Sequence, residues 1–384
     1  MDLNVLAVRL FLIPAALMVG VIRLLRPLFL IRVGVFDSAR IGHLAGNTEI
    51  YLGERELGMH PKGLLGGIDI WAHKCKPCNR QLAKMVARRL HVDPTRFFQL
   101  VYVVNMRFAG WERHIAAPDN WDRDIHDTLA TTTQHLTFTE KEIWRGKKQL
   151  AAWGLKPGDK WVCLIVRDSA YLSSGFFSYH DYRDTKVRSY RRAALALADR
   201  GYHVFRMGAK VKENLDITHP MIADYATNGM RSDFMDIFLG AHCEFALTNG
   251  TGIDAIPVIF RKPICHVNGA SIEYMRTWIP GLYIWKHHIK QGRKMKPKEI
   301  LDCGAGLMER EEEYKAAKIQ LKDNTAQEIE DAAIQMCGLD VYEPRQIEFW
   351  RQFPLGTIVN LNGKHIHGPI VRARIGSKFL EGYQ

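Results

Sequence analysis

SDFMDIFLGAHCEFALTNGTGIDAIPVIFRKPICHVN, residues Ser232–Asn268, predicts a helix, a strand, a loop, a second helix and a second strand in succession. Asp233–Gly240 has apolar residues at helical spacing, and we expect Ser232 to cap this helix. Phe245–Leu247 is a short apolar run, typical of a fully buried parallel strand. Ile253–Ile256 is expected to begin the second helix. This alternation indicates an α/β fold.

The loop inside this stretch, Asn249–Gly252, carries two glycines that leave the backbone accessible. A glycine-rich turn ahead of a helix exposes N–H groups, and the helix dipole adds about half a positive charge there. Thr248 and Thr251 add hydroxyl donors. The loop therefore predicts a phosphate site. The alternative is a tight strand-to-helix turn that needs glycine only for its geometry.

Composition predicts a globular protein with an anionic partner. The chain has 384 residues, 47% of them hydrophobic, and a formal net charge of +12. That length is sufficient for two domains of ordinary size. The positive charge indicates a phosphate, nucleotide, nucleic-acid or membrane partner. Seven scattered cysteines favour a reducing compartment.

An apolar segment near the N-terminus, Leu10–Ile22, is too short to cross a bilayer as a helix. Arg9, Arg23 and Arg26 fall on one side of the helical projection, beside the apolar face. The pattern is typical of an amphipathic helix that lies in an anionic membrane interface. A buried first helix of the globular body is the alternative, and a single span with snorkelling arginines is a third reading.

Strands and helices then alternate along the first half of the chain. Leu28–Phe36, Gly63–Trp71 and Phe97–Val104 are predicted strands. Leu44–Leu52 and Asn79–Arg89 are predicted helices. This order favours a parallel sheet covered on both faces.

The alternation restarts after a turn cluster at residues 155–159, which marks a domain boundary. Trp161–Val166 and Tyr202–Met207 are predicted strands, and Val187–Arg200 is a predicted helix between them. Further helices are expected at Glu309–Lys322, Thr325–Cys337 and Tyr342–Phe353, and His365 and His367 are expected at the surface.

The expected architecture is α/β with two Rossmann-like domains that face a cleft. The predicted segments are a membrane-interface helix over residues 1–27, an N-terminal domain over 28–155 and a C-terminal domain over 156–342. A C-terminal helix and tail, residues 343–384, are expected to pack back on the N-terminal domain. Ligands of such sheets bind outside the carboxyl ends of the strands, where the predictions place His43, Arg167, Arg206 and the Asn249–Gly252 loop.

Several short motifs follow one another in a fixed order along most of the chain. They are Arg40–Leu44, Tyr182–Asp184, Gly201–Gly208, Ser232–Asp236, Asn249–Asp254, Asn324–Ile329 and Ala373–Gly376 with Phe379–Leu380. In these motifs the chain resembles a group of bacterial surface-carbohydrate glycosyltransferases of the GT-B kind. More remotely, Leu164–Asp168 resembles the strand-end His-x-Arg segment of fucosyltransferases, with Ile165 in place of the histidine, so that only Arg167 carries across.

The resemblance implies a hexosyltransferase-like enzyme that uses a nucleotide sugar. Its N-terminal domain would take a saccharide acceptor and its C-terminal domain the donor. The acceptor residues would be Asp37, Arg40 and Glu49. The donor residues would be Arg206, Gly208, Ser232, Asp236, Thr248, Asn249, Gly250, Thr251, Gly252 and Asp254.

The chemistry of transfer requires that negative charge on the leaving phosphates be neutralised by a metal, or by arginines and a helix N-terminus. The predicted C-terminal donor domain, residues 156–342, has no Asp-x-Asp motif, so we expect a metal-independent route without a cofactor, the nucleotide sugar being the substrate. Arg167 and Arg206 would meet the phosphates, because a guanidinium matches phosphate oxygens bidentately. Ion pairs to Asp168 or Asp184 are the alternative.

An inverting reaction also needs a base for the acceptor hydroxyl, and His43 is the candidate, with Asp37 and Glu49 behind it. A helix-capping role for His43 is the alternative. A retaining reaction would need no such base, and the sequence leaves both open.

The basic N-terminal helix predicts a peripheral or monotopic protein on the cytoplasmic face of the inner membrane. Since the resemblance implies that the N-terminal domain takes the acceptor, we expect a membrane-presented acceptor, such as a lipid-linked saccharide or a polyprenyl-phosphate carrier. The alternative is that the helix only raises the local concentration of the protein near other enzymes of its pathway. Positive charge is spread along the chain, which argues against a nucleic-acid partner. Two other classes stay open. One is a Rossmann enzyme using NAD or S-adenosylmethionine, although the first strand lacks G-x-G-x-x-G after it. The other is a non-catalytic membrane-bound binding protein.

Overall fold

The computed structural model describes residues 3–121, 123–168, 170, 182–338, 344–357, 359 and 363–383, with side chains from residue 11 onward. The chain divides into two compact units. Met1–Asp122 with Thr128–Phe138 form the N-terminal unit, and Arg123–Asp127 with Thr139–Gln384 form the C-terminal unit.

The N-terminal unit alternates helices with short parallel strands. Its elements are α1 (Leu3–Leu25), β1 (Leu30–Phe36), α2 (Ile41–Glu56), β2 (Gly67–His73), α3 (Arg80–Ala87), β3 (His91–Asp93), α4 (Phe97–Asn105) and α5 (Thr128–Thr131). Among the described residues, β1, β2 and β3 pair in that order and in parallel, and they form the small sheet. The predicted helices within α2 and α3 are confirmed, and the Asn79 side chain caps α3 by accepting from Leu82 N at 2.9 Å.

Helix α1 packs against α4 and β1 along one face. Ala15, Val19 and Ile22 are buried there with Val33 and Val101. Their spacing of four and three residues places the three α1 side chains on one stripe of the helix. This face belongs to the core of the unit. No helix among the described residues combines the length and apolarity needed to span a bilayer.

The strand predicted at Phe97–Val104 is wrong, because this segment is helix α4. Its apolar run lies between α1 on one side and strands β1 and β2 on the other, so neither face is polar. Periodicity cannot separate a helix from a strand in such a run. The helix begins after a local turn, in which the Asp93 carboxylate accepts from Thr95 N and Phe98 N, both at 2.8 Å.

The C-terminal unit contains most of the secondary structure. Its elements are α6 (Glu140–Ala152), β4 (Lys160–Ile165), α7 (Arg191–Ala198), β5 (Tyr202–Met207), β6 (Ile222–Ala223), α8 (Asp233–His242), β7 (Phe245–Thr248), α9 (Ala255–Ile259), β8 (Ile264–Gly269), β9 (Gly281–Trp285), β10 (His287–Lys290), β11 (Arg293–Lys294), α10 (Pro297–Asp302), α11 (Glu311–Ala316), β12 (Ile319–Lys322), α12 (Ala326–Gln335), α13 (Pro344–Gln352), β13 (Ala373–Ile375) and α14 (Ser377–Glu381). Helix α6 lies in this unit although it precedes the boundary predicted at residue 155.

A parallel sheet forms the centre of this unit, and we call it the large sheet. Within the described residues it has seven strands in the order β13-β9-β8-β7-β4-β5-β6. Each of its pairings is parallel. Its central strands β4 and β7 are almost entirely buried, as their continuous apolar runs predict. The protein is therefore a mixed α/β protein built on a large parallel sheet, as expected.

Three predictions in this unit need correction or completion. Glu309–Lys322 is not one helix, because α11 ends at Ala316 and Lys318 adopts a left-handed φ of 56° before strand β12. Residues 342 and 343 of the predicted helix Tyr342–Phe353 lie outside the described residues, and the rest agrees with α13. Phe349 of α13 stacks on Trp285 at 5.5 Å between ring centroids, inside the core of the C-terminal unit. Packing of this stretch on the N-terminal unit stays a prediction.

Candidate functional site

The order of the strands creates a divergence at the carboxyl ends of β4 and β7. Strand β4 pairs with β5 on one side and with β7 on the other. The chain runs from β4 outward through β5 and β6, and it then crosses to the opposite side at β7. The loops after β4 and β7 therefore leave in opposite directions. Parallel α/β sheets bind their ligands at such switch points.

Asn249 occupies this switch point directly after β7. It is buried, and its Oδ1 accepts from Arg167 N at 2.6 Å. Its Nδ2 lies 3.3 Å from Arg167 O, 3.2 Å from Arg183 O and 3.0 Å from Thr185 Oγ1. One side chain thus joins the end of β4 to the segment around residue 184. It holds in place the backbone of two arginines.

Three cationic side chains converge around this asparagine. Arg167 Nε donates to Asp184 Oδ1 at 2.9 Å, and Arg183 Nη2 donates to Gly250 O at 2.9 Å. Lys286 Nζ, after β9, donates to Asp184 O at 3.0 Å and pairs with Asp323 Oδ1 at 2.9 Å. Burial, followed by the charge of Arg183, lowers the pKa of Arg167. Burial likewise lowers the pKa of Lys286, against the opposing effect of Asp323.

The glycine turn packs tightly over this cluster. Gly250 has φ 86°, and a Cβ on it would lie 3.0 Å from His266 Cε1 and 3.2 Å from Arg183 Nη2. Glycine is therefore needed both for the left-handed backbone and for the close approach. Below the turn, burial and then the charges of Arg276 and Arg183 hold the pKa of His266 well below its ordinary value. His266 thus stays neutral at pH 7.

The expectation that this loop presents free amides to a phosphate needs correction. Gly250 N donates to Thr248 Oγ1 at 3.1 Å, and Thr251 N donates to Asp254 Oδ2 at 3.2 Å. The residues after them, Gly252–Asp254, form a 3-10 turn ahead of the five-residue helix α9. A helix this short adds little dipole. The positive charge near this turn therefore comes from side chains, those of Arg167, Arg183 and Lys286.

Arg206 is placed differently from the sequence prediction. It lies within β5 rather than after it, and it is fully buried. Its Nη1 pairs with Asp224 Oδ1 at 3.2 Å, and its Nη2 lies 3.6 Å from Asp168 Oδ2. Asp168 Oδ2 also accepts from Lys212 N at 2.7 Å, so the arginine ties two loops together. In this position the positive charge of Arg206 balances the negative charges of Asp168 and Asp224.

Other predicted donor residues stabilise local structure. Ser232 caps α8, as predicted, by accepting from Met235 N at 3.2 Å. Asp236 accepts from Tyr225 Oη at 2.9 Å and from Arg231 Nη2 at 2.6 Å, and burial raises its pKa. Asp254 pairs with Arg276 at 2.9 Å. Gly208 follows β5, where a Cβ would lie 2.6 Å from Val211 Cγ1.

The acceptor residues predicted in the N-terminal unit do not all come together. Arg40 and His43 are neighbours at the start of α2, with Arg40 Nη1 3.2 Å from His43 Nε2. Asp37 precedes them in the loop after β1, where its carbonyl accepts from Arg40 N at 3.2 Å. Glu49 is buried further along α2, and it accepts from His135 N at 2.9 Å and from Leu136 N at 3.2 Å. These bonds hold Glu49 within the fold.

Sequence reasoning missed Arg183 and Lys286 as members of the cluster, and it missed Arg276 and His266 as groups close to it. Arg183 stands in one of the motifs that carry the family resemblance, and Lys286 follows directly on the apolar run of β9. A cation at the end of a buried strand was therefore a usable signal for Lys286. Arg276 and His266 had none, because their proximity depends on the order of the strands.

Comparison with known proteins gives weak similarities. No family model matches the chain. No curated protein sequence matches it either. Among solved structures, it is similar to ADP-heptose LPS heptosyltransferase II of E. coli, with a TM-score of 0.38 and 13% identity over 61% of this chain and 83% of that one.

A family 9 glycosyl transferase of Veillonella parvula gives a TM-score of 0.39 and 13% identity over 62% of this chain and 80% of that one. The dodecameric iron-containing heptosyltransferase TibC, solved with ADP-D-β-D-heptose, gives 0.31 and 10% identity over 64% of this chain and 59% of that one. At this level of similarity the comparison assigns neither a family nor an activity to this chain.

Proposed function

We propose that this protein is a glycosyltransferase that moves a sugar from a nucleotide-sugar donor to a saccharide acceptor. The observation that carries the proposal is the cluster of Arg167, Arg183 and Lys286 at the switch point of the large sheet. Three cations fixed around one buried asparagine suit a diphosphate, whose charge grows as the sugar leaves. The family resemblance of the sequence motifs points to the same chemistry.

In the proposed reaction, the bond between the sugar C1 and the diphosphate oxygen breaks, and its electron pair stays on that oxygen. The cations of the cluster neutralise the growing charge without a resident metal. The acceptor hydroxyl forms the new bond to C1. In an inverting reaction its proton would pass to His43, at the start of α2 in the N-terminal unit.

We further propose a GT-B arrangement, in which the N-terminal unit takes the acceptor and the C-terminal unit the donor. Asp37, Arg40 and His43 remain the acceptor candidates, whereas the hydrogen bonds of Glu49 remove it from this set. The acceptor is proposed to be a lipid-linked saccharide in surface polysaccharide or glycoconjugate synthesis, at the cytoplasmic face of the inner membrane. The exposed apolar stripe of α1 supports a membrane-presented acceptor, since Ile13 and Leu17 are 70% and 67% exposed.

Nucleotide binding is the first test. We expect a nucleoside diphosphate at about one hundred times its Kd to stabilise the folded protein by about 2.7 kcal/mol. For a unit of this size, the melting temperature should rise by roughly 5–10 °C. Arg183→Gln should abolish most of this rise. Arg192→Gln is the matched control, because Arg192 makes an exposed ion pair with Glu330 in the same unit.

Transfer is the second test. Labelled sugar from the nucleotide sugar that binds best should enter organic-extractable lipid when membrane extract is added. Stabilisation by NAD or S-adenosylmethionine, with none by any nucleoside diphosphate, would contradict the proposal. Transfer to soluble acceptors with none to lipid would contradict only the lipid-linked acceptor.

A further inference from the structure

Over residues 11–25 of α1, where the structure describes the side chains, two faces are apolar and one of them is covered. Ala15, Val19 and Ile22 face the core of the N-terminal unit. On the opposite side, Leu17 is 67% exposed and Leu24 is 81% exposed. A helix that is apolar all round is normally buried. The outer face of α1 therefore needs an explanation other than folding of the unit.

Three chain segments meet at the end of this helix, residues 23–28, 62–65 and 106–109. Backbone bonds join the first two, from Leu65 N to Leu28 O at 2.7 Å and from Leu64 N to Pro27 O at 3.4 Å. Arg23 joins the third, since its Nη1 donates to Ala109 O at 3.0 Å. We call these segments together the docking patch. Its exposed apolar side chains are Leu24, Leu25, Leu28, Leu64, Leu65, Met106 and Phe108.

Leu64 and Leu65 form the tip of a tight turn within the patch. Gly63 and Gly66 exchange backbone bonds of 2.9 and 3.0 Å around the two leucines. Leu64 is 81% exposed and Leu65 is 72% exposed. A tight turn that projects two adjacent, largely exposed leucines suits shallow insertion into an apolar medium, because insertion would remove this apolar surface from water.

The patch is basic as well as apolar. Its three segments contain Arg23, Arg26, Lys62 and Arg107 and no acidic residue. Lys62 and Arg107 are exposed, whereas Arg23 in α1 and Arg26 directly after it are half-buried. Pairing of this patch with itself in a symmetric dimer would bring like charges together. An anionic surface with an apolar interior complements it on both counts.

We infer that the docking patch binds the folded N-terminal unit to an anionic lipid bilayer, with Leu64 and Leu65 inserted beside the outer face of α1. The inference deepens the proposed function, because it gives the route by which a lipid-linked acceptor is met. It assigns binding to a surface of the folded unit, built from three segments, instead of a detachable N-terminal helix.

Flotation of the intact protein with vesicles tests the inference. We expect binding to vesicles of equal parts phosphatidylcholine and phosphatidylglycerol, and much weaker binding to phosphatidylcholine alone. Leu64→Ser with Leu65→Ser should lower the partition coefficient at least tenfold, because both side chains lose apolar burial. Leu195→Ser with Ile347→Ser, at exposed positions of the C-terminal unit, should leave it unchanged.

A charge pair separates attraction from insertion. Lys62→Glu with Arg107→Glu should weaken binding to the anionic vesicles. Each lost positive charge should weaken it about fivefold, and the two added negative charges should weaken it further. Lys322→Glu with Arg351→Glu is the matched control on exposed positions elsewhere. High salt should reduce the effect of the charge pair.

Two outcomes would overturn the inference. One is vesicle binding that neither the leucine pair nor the charge pair changes. The other is a dimer in sedimentation that the leucine pair dissociates, with no vesicle binding, since a second copy would then cover the patch. Nucleotide-induced stabilisation is measured without lipid, so its failure would contradict the proposed function and leave the docking patch standing.

Discussion

Asn249→Ala tests whether one buried amide holds the cationic cluster together. Asn249 Oδ1 accepts from Arg167 N at 2.6 Å, and its Nδ2 lies within 3.3 Å of three acceptors. An amide nitrogen carries two hydrogens, so the side chain can make three strong bonds at once. Each such bond contributes about 1 kcal/mol to the free energy of unfolding.

Loss of these bonds should lower the free energy of unfolding by about 3 kcal/mol, and the melting temperature by roughly 6–12 °C. Nucleoside diphosphate affinity should fall at least about tenfold, because Arg167 and Arg183 lose the group that fixes their backbone. Scanning fluorimetry measures the first effect, and titration calorimetry on the folded variant measures the second.

Two further variants make this result interpretable. Asn249→Asp keeps the acceptor for Arg167 N but turns a carboxylate oxygen toward the carbonyl groups of Arg167 and Arg183. It should therefore destabilise the protein at least as much as alanine does. Asn228→Ala is the control, because Asn228 is exposed and bonds only locally to Met230. If Asn249→Ala melted and bound nucleotide like Asn228→Ala, this account of the switch point would be refuted.

Three other predictions follow from buried groups. Arg206→Ala should lower the free energy of unfolding by about 3–5 kcal/mol in urea denaturation, because Asp168 and Asp224 would lose the cation that compensates them. Unchanged stability with lost nucleotide binding would instead make Arg206 a donor ligand. Ile22→Ala should lower the free energy of unfolding by about 2–5 kcal/mol, because Ile22 is fully buried. Ile13→Ala, at a position that is 70% exposed, should leave it almost unchanged, and equal effects of the two substitutions would contradict the packing of α1. Burial raises the pKa of Glu273 from about 4.5 to about 7. Between these two pH values Glu273 is protonated in the folded protein and ionised in the unfolded chain. The free energy of unfolding should fall by about 3 kcal/mol across that window and level off above it, and Glu273→Gln should remove this slope.

Local signals in the sequence predict most of the elements correctly. The cap at Ser232 and the strand at Tyr202–Met207 agree with the structure because both depend on neighbours in the chain. The same reasoning fails at Phe97–Asn105, where α1 and the small sheet cover the segment from two sides. It fails again at His367, which is buried against Thr277 and not at the surface. Each failure depends on contacts with residues far away in the sequence.

The candidate site shows the same limit more sharply. The sequence indicates that Arg167 and Arg206 both stand near strand ends, and it cannot show which one a ligand can reach. The register of the strands separates the two arginines. Arg206 of β5 pairs with Leu164 of β4, so the side chain of Arg206 lies level with the interior of the sheet. Arg167 lies beyond the last paired residue, Ile165, at the edge where the loops diverge. Arg167 lies three residues further along the strand direction than Leu164, the residue level with Arg206, and strand pairing sets this difference. For this reason we propose Arg167, rather than Arg206, as the arginine that meets the diphosphate, while Arg206 compensates buried carboxylates.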